Sequence, residues 1–452
     1  MTSETKTELS RAVFPVDFRW GVATASYQIE GAVHQDGRGP SIWDTFSHTP
    51  GKVENGDNGD VACDHYNRYS EDIALMVKLG INSYRFSMSW PRIFPEGTGK
   101  VNQAGLDFYS RLVDELLAAG IEPYATLYHW DLPQALEDQG GWSKRDTAYY
   151  FAEYADTVSR HLGDRVKGWI TLNEPGVSAT LGYLTGEHAP GLKSMNKAIR
   201  ATHHLLLAHG LAIPRLRQNA TRPDAELGIT LSFNAVDPGD ENARELALLK
   251  DAWDNRLFLD PIFKGVYPGE LFTVTNPHLP VEPDDMAIIS TPVDFLGVNY
   301  YFRTLPVEWA DQKNMSFKER YNEDAPHTVM GWEVHPEGLY KLLSRLHNDY
   351  RIQKIYITEN GAAYEDKLVE EQGELFVHDP QRLDYLQQHF QATLKAIQEG
   401  APVAGYFIWS LLDNFEWAYG YDKRFGIVYV DYPTQRRVIK DSGRWYQNFL
   451  AH

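Results

Sequence analysis

Residues 105–130 read GLDFYSRLVDELLAAGIEPYATLYHW. Over the first fifteen, Leu106, Tyr109, Leu112, Val113 and Leu116 recur every three or four positions, the period of an amphipathic helix. The pattern then becomes a short apolar and aromatic run, Ile121–Trp130, of strand length and strand composition. The same alternation extends in both directions. Strand-like runs occur at Phe18–Ala25, Ile81–Trp90, Val166–Glu174, Leu227–Phe233, Asp294–Tyr301, Ile355–Glu359 and Val403–Leu411, which makes eight in all. Helical spacing returns at Asp146–Leu162, Asn196–Arg217 and Asp384–Gln398.

Several of these runs are almost continuously apolar, as expected of parallel strands covered on both faces by helices. Alternating strands and helices leave two architectures, a doubly wound sheet or a (β/α)₈ barrel. The first strand is followed by no glycine-rich phosphate turn: Gly21-Val-Ala-Thr-Ala-Ser26 lacks the G-x-G-x-x-G spacing. Eight units and no such turn favour the TIM barrel. At about 150 residues per domain, 452 residues would suggest three domains, yet one barrel with insertions reaches this length. No repeat, low-complexity tract or linker divides the chain. The expectation is a single α/β catalytic domain over residues 13–452 behind a flexible tail at 1–12. Glu308–Thr328, rich in charge, reads as a long loop at the rim, a candidate lid.

Composition narrows the function. The formal charge of −19 repels nucleic acid and anionic membrane surfaces. No window approaches 18 uninterrupted apolar residues, so no span is expected. The polar start of the chain has no apolar core behind a basic stretch, which reads as cytoplasmic. The lone Cys63 excludes an internal disulfide and a cysteine metal site. Aromatic residues make up 13% of the chain, more than a core requires, and point to a ligand site with flat apolar faces.

In a barrel the site lies at the C-terminal ends of the strands. The first run is followed by Gln28, and the second carries Arg85 partway along. The third ends in His129-Trp130, the fourth in Asn173-Glu174-Pro175, and the sixth in Asn299-Tyr300-Tyr301. The seventh ends in Glu359-Asn360-Gly361, and the eighth carries Trp409 and leads to Glu416-Trp417. Amides and carboxylates suit vicinal hydroxyls, and Trp faces suit the C–H side of a sugar ring. Paired carboxylates supply the chemistry of glycosidic cleavage: one protonates the departing oxygen, and the other attacks the anomeric carbon or activates water. Adjacent Asn173 and Glu174 cannot both face inward in a regular strand, so a bulge or the strand end must re-aim one of them. Arg85, in the apolar run Tyr84–Trp90, needs a carboxylate partner. Pairing with Glu359 would keep that carboxylate ionised and leave Glu174 as the acid, whereas pairing with any other carboxylate would be purely structural.

Several stretches resemble glycoside hydrolase family one: Phe18-Arg-Trp-Gly-Val-Ala-Thr-Ala-Ser26, Ser41-Ile-Trp-Asp-Thr-Phe46, Tyr84-Arg-Phe-Ser-Met-Ser-Trp-Pro-Arg92, Asn173-Glu174-Pro175 and Ile357-Thr-Glu-Asn-Gly361. The resemblance runs from Phe14 to Tyr446. It implies a (β/α)₈ barrel that hydrolyses β-glycosides with retention and without a cofactor. By motif, it implies Glu174 as acid/base, Glu359 as nucleophile, and Tyr301 as the tyrosine bonded to the nucleophile, with Asn299 in the same motif. Gln28, His129, Asn173 and Glu416 match residues that hold the non-reducing sugar, with Trp409 beneath the ring and Trp417 beside it. Trp130 and Phe425 line the same pocket, and Trp332 resembles an aromatic of the leaving-group side. In a retaining pair the two carboxyl groups stand about 5–5.5 Å apart.

Two residues refine this resemblance. Relatives acting on 6-phosphorylated sugars place Ser where Glu416 stands, with Lys and Tyr seven and nine residues later; here those positions are Lys423 and Phe425, and a carboxylate at Glu416 opposes a phosphate. Plant thioglucosidases replace the acid/base by Gln, whereas Glu174 is present. A small β-glucoside is therefore the expected partner, with no metal. Blander readings stand beside these: His129 or Trp409 as core filling, Trp332 as a loop anchor, His188 as a loop support, and His203-His204 as a helix-surface pair. A barrel sugar isomerase, which usually needs a divalent metal, and a silent sugar-binding protein are the rival functions.

Overall fold

In the computed structural model, which describes residues 9–274 and 279–452, the eight runs become eight parallel strands closed into one barrel. They are β1 (Arg19–Ala23), β2 (Ser83–Ser87), β3 (Glu122–Tyr128), β4 (Gly168–Asn173), β5 (Glu226–Val236), β6 (Phe295–Thr304), β7 (Ile355–Asn360) and β8 (Val403–Trp409). Their order around the barrel is their order in the chain, and β8 closes on β1. The helices outside include Gln103–Ala118, Asp146–Leu162, Met195–Asn219 and Pro380–Gln398, where the 3.6-residue period placed them. Of the tail expected over 1–12, residues 1–8 lie outside the described residues. Arg11 already donates to the Leu450 carbonyl at 2.9 Å.

Small and large residues alternate across neighbouring strands to fill the barrel's interior. Gly21 pairs with Phe407, Gly168 with Tyr124, Gly228 with Phe295, and Gly405 with Tyr356. A Cβ on Gly168 would lie 2.1 Å from the Tyr124 ring, and one on Gly21 would lie 2.4 Å from Phe407. Each bare backbone therefore seats its neighbour's ring. These four rings, with Ile170, form an apolar cluster that also includes Ala23, Trp409 and Phe425. It is the floor on which the site is built.

The charged stretch Glu308–Thr328 is not simply a loop. Pro306–Asp311 pairs antiparallel with Ser316–Glu319, and Trp309 stacks on Phe317 at 4.5 Å across the hairpin. Two further hairpins, Leu368–Glu371 with Glu374–Val377 and Val428–Asp431 with Arg436–Ile439, interrupt the connections after β7 and β8. Among the described residues, no helix is long and apolar enough to cross a membrane.

Candidate active site

The C-terminal mouth of the barrel opens into a cavity of about 800 Å³. Arg85, on β2, is completely buried at its base and spends four donor contacts there. Nη1 donates to Glu359 Oε1 at 2.6 Å and to the Thr358 carbonyl at 3.1 Å. Nη2 donates to Asn173 Oδ1 at 2.6 Å, and Nε to Thr126 Oγ1 at 3.1 Å. The partner that the sequence left open for Arg85 is thus Glu359. The second oxygen, Oε2, accepts from the Tyr301 hydroxyl at 2.7 Å.

Glu174 stands at the end of β4, where the register shifts between Ile170 and Asn173 and the backbone turns left-handed (φ +46°). This irregularity lets consecutive residues serve one centre: Asn173 meets Arg85 and His129 within the barrel, and Glu174 is re-aimed to the cavity lining. Asn299 Nδ2 donates to Glu174 Oε1 at 2.7 Å and to Asn173 Oδ1 at 3.1 Å.

The donors dictate every amide orientation. Arg85 can only donate, so the atom of Asn173 facing it is the oxygen. Asn173 Nδ2 then faces His129 Nε2 at 3.0 Å and donates to it, which puts the imidazole proton on Nδ1. Burial, reinforced by Arg85, holds the His129 pKa well below the usual imidazole range, so the ring is neutral. The Thr358 hydroxyl donates to Asn299 Oδ1 at 2.8 Å and so turns Asn299 Nδ2 towards Glu174.

The two carboxyl groups sit in unequal surroundings. Burial raises the pKa of Glu174, and the charge of Glu359 raises it further, against hydrogen bonds from Asn299 and Ser232. Burial also raises Glu359, but there Arg85 and Tyr301 oppose it directly. Tyr301 is pushed well above the usual phenol value by burial and by both carboxylates, so it remains a donor. Glu416 is pushed up to about 8 by burial, then by Glu359 and Glu174.

The remaining predicted residues gather around this centre. Gln28 Nε2 donates to Asn414 Oδ1 at 2.9 Å and to the Phe415 carbonyl at 2.8 Å, and reaches Glu416 Oε2 at 3.5 Å. Its Oε1 and His129 Nδ1 have no protein partner among the described residues. Trp409 lies nearly parallel to His129 at 5.7 Å, and Trp417 packs on Trp130 at 4.6 Å. The Trp130 indole donates to the Asn173 carbonyl at 3.0 Å. Trp332 lines the cavity 5.4 Å from Tyr301, and Phe425 lies 6.1 Å from Tyr301.

Other expectations are corrected. His203 and His204 are buried rather than a surface pair: His203 bridges Asp285 and Tyr267, each at 2.8 Å, and His204 bonds the Trp142 carbonyl. Gly361 gives the Trp409 backbone room, since a Cβ there would lie 1.7 Å from the Trp409 carbonyl oxygen. The residues missed come mainly from β5, for which the sequence reading named no site residue. Ser232 and Asn234 both line the cavity, and their alternation in Leu231-Ser-Phe-Asn234 was the available signal. The apolar outer wall, with Val177, Leu181, Trp253 and Phe258, was also missed, because it comes from helical insertions with no strand-end position.

The chain is similar to known proteins over nearly its whole length. The profile of glycosyl hydrolase family 1 matches residues 10–452. β-Glucosidase A of Thermotoga maritima is 53% identical over 444 residues, 97% of this chain and 98% of that protein. A bifunctional β-D-glucosidase/β-D-fucosidase of Bifidobacterium breve is 48% identical over 460 residues, 97% and 98% of the two chains. The structure of a Thermotoga maritima β-glucosidase with castanospermine superposes with a TM-score of 0.93 at 52% identity, over 97% of this chain and 98% of that one. With the profile spanning nearly the whole chain and relatives near half identity, the chain belongs to glycosyl hydrolase family 1 and is an O-glycoside hydrolase.

Proposed function

We propose that the protein is a retaining β-glucosidase that releases the terminal non-reducing β-D-glucosyl residue of small β-glucosides and cello-oligosaccharides. The observation that carries this reading is the inequality of the two carboxyl groups. Glu359 is clamped between a guanidinium and a phenol, and Glu174 has no cation in contact among the described residues. Glu359, held ionised, attacks the anomeric carbon while Glu174 protonates the leaving oxygen, giving a covalent glycosyl-enzyme and the free alcohol. Glu174, now a carboxylate, takes a proton from water as its oxygen attacks the same carbon. This frees Glu359 and releases the sugar with its β configuration retained.

Neutral polar groups hold the sugar. Gln28 Oε1 can accept from a hydroxyl and His129 Nδ1–H can donate to one, while Glu416 takes the hydroxyls at the far edge of the ring. Trp409 lies under the ring, Trp417 and Trp130 beside it, and Phe425 closes the wall. Trp332 faces the leaving group. A galactoside differs only in the direction of its 4-hydroxyl and a fucoside lacks the 6-hydroxyl, so both are read as side substrates. The bifunctional relative named above supports the second. An alcohol in place of water at the second step gives transglycosylation by the same chemistry.

The test is incubation with a 2-deoxy-2-fluoro-β-glucoside carrying an activated leaving group, followed by intact mass and peptide mapping. The fluorine slows the second step, so one fluoroglucosyl group is expected on Glu359. Turnover of ordinary aryl β-glucosides without any label would refute the covalent route. A label on another carboxylate would refute the assignment.

A further inference from the structure

The chain leaving β8, Ser410-Leu-Leu-Asp-Asn414, links Trp409 to Glu416 and takes no part in the proposed chemistry. Asn414 is buried there. Its Nδ2 donates to the Leu412 carbonyl at 2.9 Å and to Ser410 Oγ at 3.2 Å. The Ser410 hydroxyl in turn donates to the Ala23 carbonyl, at the end of β1, at 3.1 Å. A carbonyl can only accept, so Leu412 fixes which atom of the Asn414 amide is the nitrogen. Oδ1 is thereby turned towards Gln28 Nε2, at 2.9 Å.

The backbone that imposes this orientation is itself anchored. The Asp413 carboxylate accepts from Gly426 N–H at 3.0 Å, from Arg424 Nη1 at 2.7 Å and from Lys440 Nζ at 2.6 Å. Lys440 is fully buried and also pairs with Asp366, in the connection after β7. The Asp413 N–H donates to the Val428 carbonyl at 3.0 Å. Residues 412–415 are therefore tied on several sides, and their carbonyls stand as fixed acceptors.

Gln28 Nε2 spends its two hydrogens on Asn414 Oδ1 and, at 2.8 Å, on the Phe415 carbonyl. A reversed Gln28 amide would set Oε1 against both of these oxygens, neither of which offers a hydrogen. Oε1, which has no protein partner among the described residues, is thus kept for the sugar. Donation runs in one direction, from Gln28 through Asn414 and Ser410 to the backbone of β1. Of the two acceptors that hold Nε2, Asn414 is the side chain, and so the one a substitution can remove.

We infer that Asn414 is a positioning residue for substrate recognition, which locks the Gln28 amide with its oxygen towards the sugar, so that Gln28 selects a hydroxyl that donates. The inference rests on the β-glucosidase reading and adds what sets the polarity of one of its sugar contacts. Without Asn414, the Phe415 carbonyl alone restrains the amide, and a sugar hydroxyl meets a less ordered partner.

The test is a double-mutant cycle. Wild type, Asn414→Ala, Gln28→Ala and the double variant are assayed for kcat/KM on an aryl β-glucoside, each beside a thermal melt. Asn414→Ala is expected to lose about tenfold, the scale of one buried hydrogen bond left unmade. In the Gln28→Ala background it is expected to lose nothing further, because Asn414 acts through Gln28. Losses that multiply in the double variant overturn the inference, since a general loosening of the segment would act with or without Gln28; the β-glucosidase reading would still stand. Wild-type kcat/KM in Asn414→Ala overturns the inference as well. A wild type that does not turn over β-glucosides overturns the β-glucosidase reading, and this inference with it. Should a variant not fold, neutron diffraction from crystals of the deuterated wild type with glucose decides the matter. Deuterium is expected on the Gln28 atom facing Asn414 Oδ1 and on the Asn414 atom facing the Leu412 carbonyl, and a Gln28 nitrogen facing the sugar refutes the inference.

Discussion

Replacing Arg85 by Met tests the assignment of the nucleophile most severely. The guanidinium is buried and in contact with Glu359 at 2.6 Å, inside a cavity where burial disfavours carboxylate charge. Removing one partner of a buried ion pair costs about 3–5 kcal/mol, because the other charge is left uncompensated. Glu359 can escape most of that cost by taking up a proton. At about 1.36 kcal/mol per pKa unit, its pKa should rise by roughly two to four units. The sign follows from the roles: Glu359 must be ionised to attack, so kcat/KM rises with pH through its pKa; Glu174 must be protonated to assist departure, so kcat/KM falls through the second pKa. In the variant the acid limb moves furthest to higher pH, and the alkaline limb moves up less, because Arg85 lowers Glu174 only through its field and not by contact. The bell narrows and its peak drops.

The assay is kcat/KM for an aryl β-glucoside from pH 4 to pH 9, beside a thermal melt to establish that the variant folds. On the acid side, kcat/KM is expected to fall about 10²- to 10⁴-fold, which is the loss of ionised Glu359 for a shift of that size. Arg85→Lys retains a cation but not the bidentate reach to Glu359 and Asn173, so its acid limb should move less. An acid limb unmoved in Arg85→Met would refute the reasoning, because Arg85 would then not be what keeps the attacking carboxylate charged.

Two further outcomes follow from the same geometry. Glu174→Ala should lose about 10²- to 10⁴-fold in kcat/KM on cellobiose, whose leaving alcohol needs a proton, yet little on an activated aryl glucoside; equal losses on both would remove Glu174 from the acid role. Gly361→Ala must push back the Trp409 carbonyl from 1.7 Å, so a cost of about 1–3 kcal/mol and a raised KM are expected in melts and kinetics; a variant with wild-type values of both would show that the close approach is relieved without moving Trp409.

What the sequence made legible was whatever depends on periodicity and on single strands. All eight barrel strands stand within a few residues of the apolar runs, since burial on both faces leaves little freedom in composition. The conflict between Asn173 and Glu174 was visible because a period of two cannot be satisfied at both, and the bulge resolves it. Contacts between remote segments were not legible. Nothing near Ala252–Arg256 marks a π-helical turn, and the Trp309–Phe317 pair is hidden among charges because the hairpin buries only one face. His203 and His204 share a helix with an exposed side, and only the positions of Asp285 and Trp142 show that both point inward. The resemblance to a family supplied roles, whereas the orientation of each amide came from counting donors.

On the proposed mechanism, that donor count also accounts for how one site would serve two opposite steps. Among the described residues three carboxyl groups, Glu174, Glu359 and Glu416, share the mouth with the guanidinium of Arg85, and burial makes three simultaneous negative charges costly. On the proposed roles the charge belongs where Arg85 and Tyr301 meet it, on Glu359, and the field of that charge raises the pKa of Glu174. In the proposed first step Glu359 becomes an ester and loses its charge. The repulsion that raised Glu174 disappears in the same event, so the pKa of Glu174 falls at the moment it has given up its proton and must act as a base. Asn299 is bonded to Glu174 in a way that favours the carboxylate, and the Ser232 hydroxyl adds to it. On these proposed roles the reversal would need no movement of the protein: making and breaking the bond to Glu359 would itself retune its neighbour.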